Sequence, residues 1–352
     1  MAPHIAAPPH FPYPEPPPNG GIMEVAPGVL WFRLPLPFAL DHVNVYLIED
    51  HGGWAVLDTG IDNQVTREMW DAALAGPLRG NKLTRVIATH FHPDHIGLVG
   101  WLTDRFDLPL AMSRTEYFFA QTLRGNPNAL RSPAHQAFYH DRGLAPEIAQ
   151  ALRSNGLSYL GMVTDLPTTY TRLAAGDTIR IGGRDFTVQT GGGHAPEQAT
   201  LHCPSDKLFF AADQVIAKIS PNVSVWPWEP EANPLGEYLK SLAGLRQAIA
   251  PDSFVLAAHN LPFTGLHPRI DALLAHHSER CDRIAAACRQ HSHSAGELVP
   301  VLFQRPLDPH QTGFAFGEVL AHVNFMLDQG EVMPAPAQSD GVMRVLCPDR
   351  GS

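Results

Sequence analysis

The stretch Val86–Gly100, with the sequence VIATHFHPDHIGLVG, contains a dense group of histidine and aspartate residues between two apolar segments. Its first three residues are typical of a short buried strand, and the pattern becomes helical from Ile96. The loop between these elements carries three histidines and one aspartate: His90, His92, Asp94 and His95. Unpaired, these groups would cost several kcal/mol in an apolar interior, whereas imidazole and carboxylate groups bind zinc well. The loop therefore predicts a metal site.

The spacing within this loop indicates two metals rather than one. His90 and His92 alternate, so both rings point to one side of an extended segment. The turn at Pro93 then lets Asp94 and His95 face the same cavity from the other side. The simpler alternative is a histidine-rich loop on the protein surface.

Several motifs together resemble a known family. The hexapeptide His90–His95 matches the H-x-H-x-D-H signature of the metallo-β-lactamase superfamily, and the resemblance covers about Ile22–Leu266. Four further motifs recur in the family's order. The first is the early D-T-G turn Asp58-Thr59-Gly60, and the second is Gly193-His194, a histidine after glycines. The third is Ala212-Asp213, an aspartate after an apolar run, and the fourth is the last histidine motif, Ala258-His259. The resemblance implies an α/β fold, the αββα metallo-β-lactamase sandwich, whose ligands lie on loops at one edge of two packed sheets.

The resemblance also implies two zinc ions per chain, with iron or manganese as alternative metals. His90, His92 and His194 would hold the first ion, and Asp94, His95 and His259 would hold the second. Asp213 would bridge both ions. Asp94 is also the candidate catalytic residue, because it could orient the attacking hydroxide or pass a proton to the leaving group. Asp58 either braces a turn or, as the resemblance favours, accepts a hydrogen bond from a ligand histidine and fixes its tautomer.

The chain divides into three predicted segments. Residues 1–21 are rich in proline and predict an extended or disordered tail. Residues 22–266 form the predicted catalytic domain, with a helical insertion at about 114–173, and residues 267–352 form a C-terminal domain. Three helical patterns followed by a hairpin make this last segment resemble the small winged-helix domain appended to some metallo-β-lactamase-fold proteins.

The insertion follows the H-x-H-x-D-H helix and precedes His194, which predicts a position near the mouth of the site. We expect it to form a lid over a small-molecule substrate, although packing in a helical core is the alternative for each of its aromatic residues. The candidate substrate contacts come from this insertion and from a later loop rich in tryptophan and proline: Tyr117, Tyr139, Tyr170, Arg172 and Trp226.

Charge and composition limit the partners of the protein. The formal net charge is −10, and residues 266–352 contain no lysine, seven arginines and ten acidic residues. Because phosphate binding needs positive charge, nucleic acid is disfavoured as a partner, although winged helices often bind it. A structural or dimerising role is favoured for the C-terminal domain, so a homodimer is one of the expected assemblies.

The sequence also predicts a compartment. No apolar run approaches the length of a membrane span, and the N-terminus has neither the basic start nor the apolar segment of a secretory signal. The four cysteines contain no C-x-x-C pair, so a reducing environment fits best. We therefore expect a cytoplasmic protein that is not associated with a membrane.

The expected activity is hydrolysis of an ester, thioester or lactone by a hydroxide held between two zinc ions. Other activities of the same superfamily stay open, namely a nuclease that cleaves phosphodiesters, an iron-dependent oxidoreductase and a promiscuous β-lactamase. The acidic composition argues against the nuclease, and the bridging role implied for Asp213 argues against a true β-lactamase. The C-terminal region has no lysine, which argues against a glutathione-thioester hydrolase.

Overall fold

The computed structural model of the chain describes residues 8–126, 132–155 and 158–348. Parts of the predicted tail (1–7), insertion (127–131 and 156–157) and C-terminal domain (349–352) lie outside the described residues. The strands are β1 (Ile22–Ala26), β2 (Val29–Pro35), β3 (His42–Asp50), β4 (Gly53–Leu57), β5 (Lys82–Ile87), β6 (Leu110–Ser113), β7 (Thr171–Leu173), β8 (Thr178–Ile181), β9 (Arg184–Gly191), β10 (Gln198–Cys203), β11 (Leu208–Ala212), β12 (Phe254–Ala257), β13 (Met333–Pro334) and β14 (Val345–Leu346). The helices are α1 (Gln64–Ala75), α2 (Pro93–Ile96), α3 (Val99–Phe106), α4 (Arg114–Gly125), α5 (Pro133–Asp141), α6 (Pro146–Asn155), α7 (Ser158–Gly161), α8 (Pro234–Ala248), α9 (Leu266–Cys288), α10 (Ala295–Leu302) and α11 (Pro309–Asp328). In the part of the chain that is described, no helix combines the length and the apolar character needed to cross a membrane.

Two sheets and a layer of helices enclose two apolar clusters. Strands β1–β7 form one sheet in sequential order, and the second sheet has the order β12-β11-β10-β9-β8. One cluster combines residues of both sheets, including Trp31, Tyr46, Ile48, Phe186, Val188, Leu201 and Phe210. The other joins the opposite face of the first sheet to α1, α3 and α4, through residues such as Val45, Leu47, Trp70, Val99, Leu102 and Ala120. The predicted α/β class is confirmed.

Strand β3 is more buried than its sequence predicts. The alternation of VNVYLI over residues 43–48 is typical of a half-buried strand, yet every one of these residues is buried. The reason is that β3 lies inside the first sheet, between β2 and β4, with an apolar cluster on each face. Its asparagine, Asn44, accepts a hydrogen bond from Trp31 Nε1 at 2.7 Å and donates one to the Ala257 carbonyl oxygen at 3.0 Å. This polar contact ties β3 to the end of β12 in the second sheet.

The chain divides into two compact units. The first, here called the sandwich unit, consists of Met1–Gly125, Ser158–Pro221 and Ser241–Asp271. The second, here called the helical unit, consists of Asn126–Leu157, Asn222–Lys240 and Ala272–Ser352. The middle of the predicted insertion therefore belongs with the C-terminal residues, and the limits of the units differ from the predicted boundary at 266/267.

Close packing of α6 against α11 explains how the insertion joins the C-terminal helices in the helical unit. A β-carbon on Gly313 would lie 2.4 Å from Leu152 Cδ2, a distance at which the two groups overlap. Glycine at this position of α11 therefore allows α6 to approach closely.

The helices α10 and α11 each begin at a capping box, with Ser294 and Asp308 as the N-cap residues.

The predicted C-terminal hairpin is shorter than expected. Strands β13 and β14 pair antiparallel over two residues each, Met333 with Leu346 and Pro334 with Val345. The sequence predicts pairing of Val332 with a longer strand at 342–346. Prolines at positions 334 and 336 have no N–H to donate to a ladder, which limits its length.

Two buried histidines lie side by side in the helical unit. His277 on α9 and His322 on α11 are fully buried, and His277 Nδ1 lies 3.1 Å from His322 Nε2. His322 Nδ1 lies 2.7 Å from the Glu318 carbonyl oxygen, so it carries the proton of the neutral ring, and His322 Nε2 accepts from His277. Burial and the neighbouring imidazole lower the pKa of His277 to about 2, and burial lowers the pKa of His322 to about 4. Both rings are therefore neutral in the folded protein at neutral pH.

We expect the substitution His322→Gln to weaken the acid dependence of the unfolding free energy. An unfolded histidine gains its proton near pH 6.5, whereas folded His322 gains it only near pH 4, so stability falls as the pH drops below about 6.5. Between pH 7 and pH 5 this residue accounts for about 2 kcal/mol of that loss, which the variant should not show. Glu318, whose pKa burial raises to about 7, acts in the opposite direction but is common to both proteins.

Urea unfolding of both proteins at the two pH values measures this difference. The matched control is His291→Gln, which removes an exposed histidine of the same unit in place of a buried one. An unchanged pH dependence in His322→Gln would show that the buried ring is not responsible.

Candidate metal centre

The predicted ligands follow the carboxyl ends of strands from both sheets of the sandwich unit. The loop after β5 carries four of them, and the segments after β9, β11 and β12 carry the others, His194, Asp213 and His259. Strands β11 and β12 are parallel neighbours, so their carboxyl ends lie side by side. At the end of β11, Ala212 has a left-handed φ of 45°, which turns the chain sharply just before Asp213.

Three histidines form the first group of ligands. His90 Nε2 lies 2.9 Å from His92 Nδ1 and 3.3 Å from His194 Nε2. His92 Nδ1 lies 3.0 Å from His194 Nε2. Nitrogens that bind one zinc ion tetrahedrally, at about 2.0–2.1 Å, are about 3.3 Å apart. The three nitrogens therefore converge with the spacing of a metal site.

Asp94, His95 and His259 form the second group. Asp94 Oδ2 lies 3.5 Å from His95 Nε2 and 3.4 Å from His259 Nε2. Asp213 reaches both groups: its Oδ1 lies 3.3 Å from His259 Nε2, and its Oδ2 lies 3.2 Å from His194 Nε2. All the predicted ligands thus belong to a few overlapping clusters of donor atoms.

The donor atoms fit a metal ion. His95 Nε2 and Asp213 Oδ1 are buried and have no hydrogen-bond partner among the described residues. Unpaired buried polar atoms are costly and rare, and both atoms lie in the cluster of converging ligands. A mixture of imidazole nitrogens and carboxylate oxygens suits zinc, iron and manganese. The unpaired atoms are therefore explained if the site holds a metal.

Asp58 lies beside a ligand histidine. His95 Nδ1 donates to Asp58 Oδ2 at 2.8 Å, and the backbone N–H of Thr89 donates to Asp58 Oδ1 at 2.8 Å. The Thr89 hydroxyl donates to Asp58 Oδ2 at 2.9 Å and can therefore accept from His90 Nδ1, 3.0 Å away. These bonds place the protons of both rings on Nδ1 and leave Nε2 as the donor atom for a metal.

His259 is oriented by a backbone group that no sequence motif indicates. Its Nδ1 donates to the backbone carbonyl oxygen of His42 at 2.8 Å. The His42 side chain also contacts this segment, since its Nε2 accepts from the backbone N–H of Asn260 at 3.0 Å. Every residue has a backbone carbonyl, so no side-chain pattern could have identified this contact.

The two groups differ in their tendency to bind protons. Burial and the neighbouring imidazoles lower the pKa of His92 to about 3 and that of His90 well below its usual range. In the second group, burial opposes protonation, but the carboxylates of Asp213 and Asp94 raise the pKa of His259 to about 10. His90 and His92 are therefore neutral and ready to bind a metal, whereas a metal must displace a proton from His259.

Three of the predicted substrate contacts lie in the sandwich unit, and one of them is buried. Tyr117 is 4% exposed, its ring stacks on Tyr170 with centroids 3.9 Å apart, and its hydroxyl donates to the Pro167 carbonyl oxygen at 2.7 Å. Helix α4 directs Tyr117 into the apolar cluster, where its ring packs, and its contact with substrate stays a prediction. Tyr170 is half-buried and Arg172 is exposed, and their contact with substrate stays a prediction.

The other two predicted contacts lie in the helical unit. Tyr139 is half-buried near Phe316, with ring centroids 6.1 Å apart, and burial raises its pKa to about 12. Trp226 stacks on Trp228 at 5.4 Å and meets Phe314 edge-on at 5.8 Å. Contact with substrate stays a prediction for both residues.

Comparison with known families agrees with this geometry. Residues 39–260, well over half of the chain, match the model of the metallo-beta-lactamase superfamily. The chain belongs to this superfamily. Residues 281–345 match the model of the metallo-beta-lactamase-like C-terminal domain. The predicted family is confirmed, and its membership makes the protein a metal-dependent hydrolase.

Solved structures of this superfamily resemble the chain over nearly its full length. A beta-lactamase domain protein from Burkholderia ambifaria is 38% identical with a TM-score of 0.89, and the match covers 97% of this chain and 98% of that chain. A metallo-beta-lactamase family protein from Thermus thermophilus is 26% identical with a TM-score of 0.77, and the match covers 92% and 100% of the two chains. An uncharacterized protein from Aquifex aeolicus is 26% identical over 178 residues, which are 51% of this chain and 68% of that protein. The resemblance to the two solved structures therefore includes both the sandwich and the C-terminal helices.

Proposed function

We propose that this superfamily member is a binuclear zinc hydrolase that cleaves an ester, thioester or lactone of a small molecule. The observation that carries the proposal is the position of Asp213, whose two oxygens lie 3.3 Å from His259 Nε2 and 3.2 Å from His194 Nε2. One carboxylate that reaches both ligand groups supports a site for two metals rather than one. When bound, the ions would supply a nucleophile from water at neutral pH and polarise the substrate carbonyl.

Asp94 differs in its exposure from the other two ligands of the second group and from Asp213. Its side chain is 19% exposed, whereas those of His95, His259 and Asp213 are 0%, 1% and 7% exposed. Asp94 is therefore the ligand of this group most open to an entering substrate. In the proposed mechanism it orients the attacking water and passes a proton to the leaving group.

The hydrogen bonds around the ligands support this division of roles. Asp58 and the His42 carbonyl oxygen hold the Nδ1 protons of His95 and His259, so both rings present Nε2 in fixed positions.

The net charge of −10 disfavours a nucleic-acid substrate. All the cysteines of the chain are free thiols, which supports a reducing compartment such as the cytoplasm.

We expect purified protein of measured metal content to hydrolyse members of a panel of aryl esters, thioesters and lactones. The same panel contains β-lactams and short RNA, on which we expect weak turnover or none. The matched control is Asp213→Ala prepared in the same way, because a contaminating esterase would remain in that preparation. Turnover of RNA alone would favour the phosphodiesterase alternative, and bound iron without any hydrolysis would favour the oxidoreductase.

A further inference from the structure

Glu116 is a buried carboxylate in the first turn of α4, and the ligand set does not include it. The residue is 0% exposed. Its Oε2 accepts a hydrogen bond from the backbone N–H of Phe91 at 3.0 Å, and its Oε1 accepts one from the backbone N–H of Glu197 at 2.5 Å. Each carboxylate oxygen therefore holds a different segment of the chain.

These two segments are the ones that carry the first group of ligands. Phe91 lies between His90 and His92, and Glu197 follows His194 by three residues. A single side chain of α4 thus joins two loops that are far apart in sequence, with the hydrogen-bonded residues separated by 25 and 81 positions from Glu116.

Two further bonds restrain the same junction. The backbone N–H of Thr115 donates to Glu197 Oε2 at 2.9 Å, so α4 and the second segment are joined in both directions. The Tyr159 hydroxyl donates to the Phe91 carbonyl oxygen at 3.0 Å. The peptide groups on both sides of Phe91 are therefore fixed by side chains from outside the loop.

An apolar residue would fill this space at lower cost, because a buried carboxylate loses its hydration. A carboxylate has two acceptor oxygens in one plane, so each oxygen of Glu116 accepts a different backbone N–H group. His194 Nε2 lies 3.3 Å from His90 Nε2 and 3.0 Å from His92 Nδ1, and these two distances depend on how closely the two loops approach. An acceptor shared by both loops sets that approach.

We propose that Glu116 is a positioning residue that sets the spacing of the two ligand loops and thereby the metal affinity of the first group. The inference rests on the metal centre proposed above. Outer hydrogen-bond partners of metal ligands typically change metal affinity about 10–100-fold when they are replaced. Glu116 acts through backbone groups of the loops, so it touches neither the metal nor the substrate.

The test compares Glu116→Asp, Glu116→Gln and Glu116→Ala with the wild type. Aspartate keeps both acceptor oxygens on a shorter side chain, glutamine keeps one acceptor, and alanine keeps none. We expect the affinity for zinc, measured by competition with a chelator, to fall in the order Asp, Gln, Ala, with about 10–100-fold loss for glutamine. The visible spectrum of the Co²⁺-loaded protein should change in the same order, because it reports ligand geometry.

The matched control is Glu318→Gln in the helical unit. Glu318 is also buried, at 8% exposure, and burial raises the pKa of both carboxyl groups to about 7. Its carboxylate pairs with Arg280 at 2.5 Å. We expect Glu318→Gln to lower the unfolding temperature without changing the zinc affinity or the Co²⁺ spectrum.

A second measurement does not depend on metal. Amide hydrogen exchange of chelator-treated Glu116→Gln should be faster at Phe91 and Glu197 than in chelator-treated wild type. Equal zinc affinity and equal spectra in all Glu116 variants, or losses no larger than in Glu318→Gln, would overturn the inference while leaving the metal centre intact. A wild type that binds no metal would overturn the proposed function itself.

Discussion

Asp213→Ala is expected to release at least one metal ion and to reduce hydrolysis by orders of magnitude. The side chain is 7% exposed, and its two oxygens lie 3.2 Å and 3.3 Å from histidines of the two ligand groups. Its removal takes away a carboxylate that reaches both groups, together with the negative charge that lies between them. The loss should exceed the roughly 10–100-fold effect that is typical of residues acting through a ligand. Metal content and turnover on the substrate found in the screen measure both effects.

Asp58→Asn is the matched control for this prediction. Asp58 contacts His95 Nδ1 at 2.8 Å and does not lie among the converging donor atoms. An asparagine can still accept one hydrogen bond, so we expect both metals to remain and turnover to fall less than in Asp213→Ala. If Asp213→Ala keeps two metals and near-normal turnover while Asp58→Asn loses them, the two roles must be exchanged.

Removal of the metal is expected to abolish hydrolysis. Protein purified without chelator should contain about two transition-metal ions per chain, as the two-metal geometry implies. Dialysis against a chelator should remove both ions, and added zinc should restore turnover. The apoprotein should also unfold at a lower temperature, since a ligand present at 100 times its Kd stabilises the folded state by about 2.7 kcal/mol.

The pKa pattern adds a directional check on metal uptake. The pKa of His259 is raised to about 10, so this ring carries a proton in the apoprotein at neutral pH. Metal binding must therefore release protons, and apparent affinity should increase with pH. Elemental analysis, chelator titration and proton release in weak buffer measure these effects. A single tightly held iron ion in a protein without hydrolytic activity would contradict both the metal count and the proposed reaction.

The sequence was most informative where the chemistry is local. The segment from His90 to His95 places four ligands in one loop. Asp213 and His259 each follow an apolar strand, and His194 follows a run of glycines. The last three could be identified because their motifs recur in the order of the superfamily that the sequence resembles, whatever the distance between them in space. The resemblance of the D-T-G turn to the superfamily's motif likewise favoured a position for Asp58 beside a ligand histidine.

Packing decided which aromatic residues of the insertion remain accessible. Tyr117 and Tyr170 are equally plausible substrate contacts in sequence, but α4 directs Tyr117 into the apolar cluster, where Tyr170 covers it. Residues 126–157 likewise belong to the helical unit because α6 packs against α11 at Gly313. These outcomes depend on which faces meet, and periodicity alone does not specify the neighbour of a face.

The sequence by itself determined the superfamily, and through that resemblance the α/β class and the metal-ligand candidates, because each motif that carries the resemblance is a short run of recognisable side chains. Only the tertiary structure decided how the ligands are held. The His42 carbonyl oxygen orients His259, and Glu116 joins the N–H groups of Phe91 and Glu197. The partners in these contacts are backbone groups from distant segments, which every residue possesses. The folded chain brings these particular backbone groups within hydrogen-bond distance of the side chains. This distinguishes them from the backbone groups of every other residue.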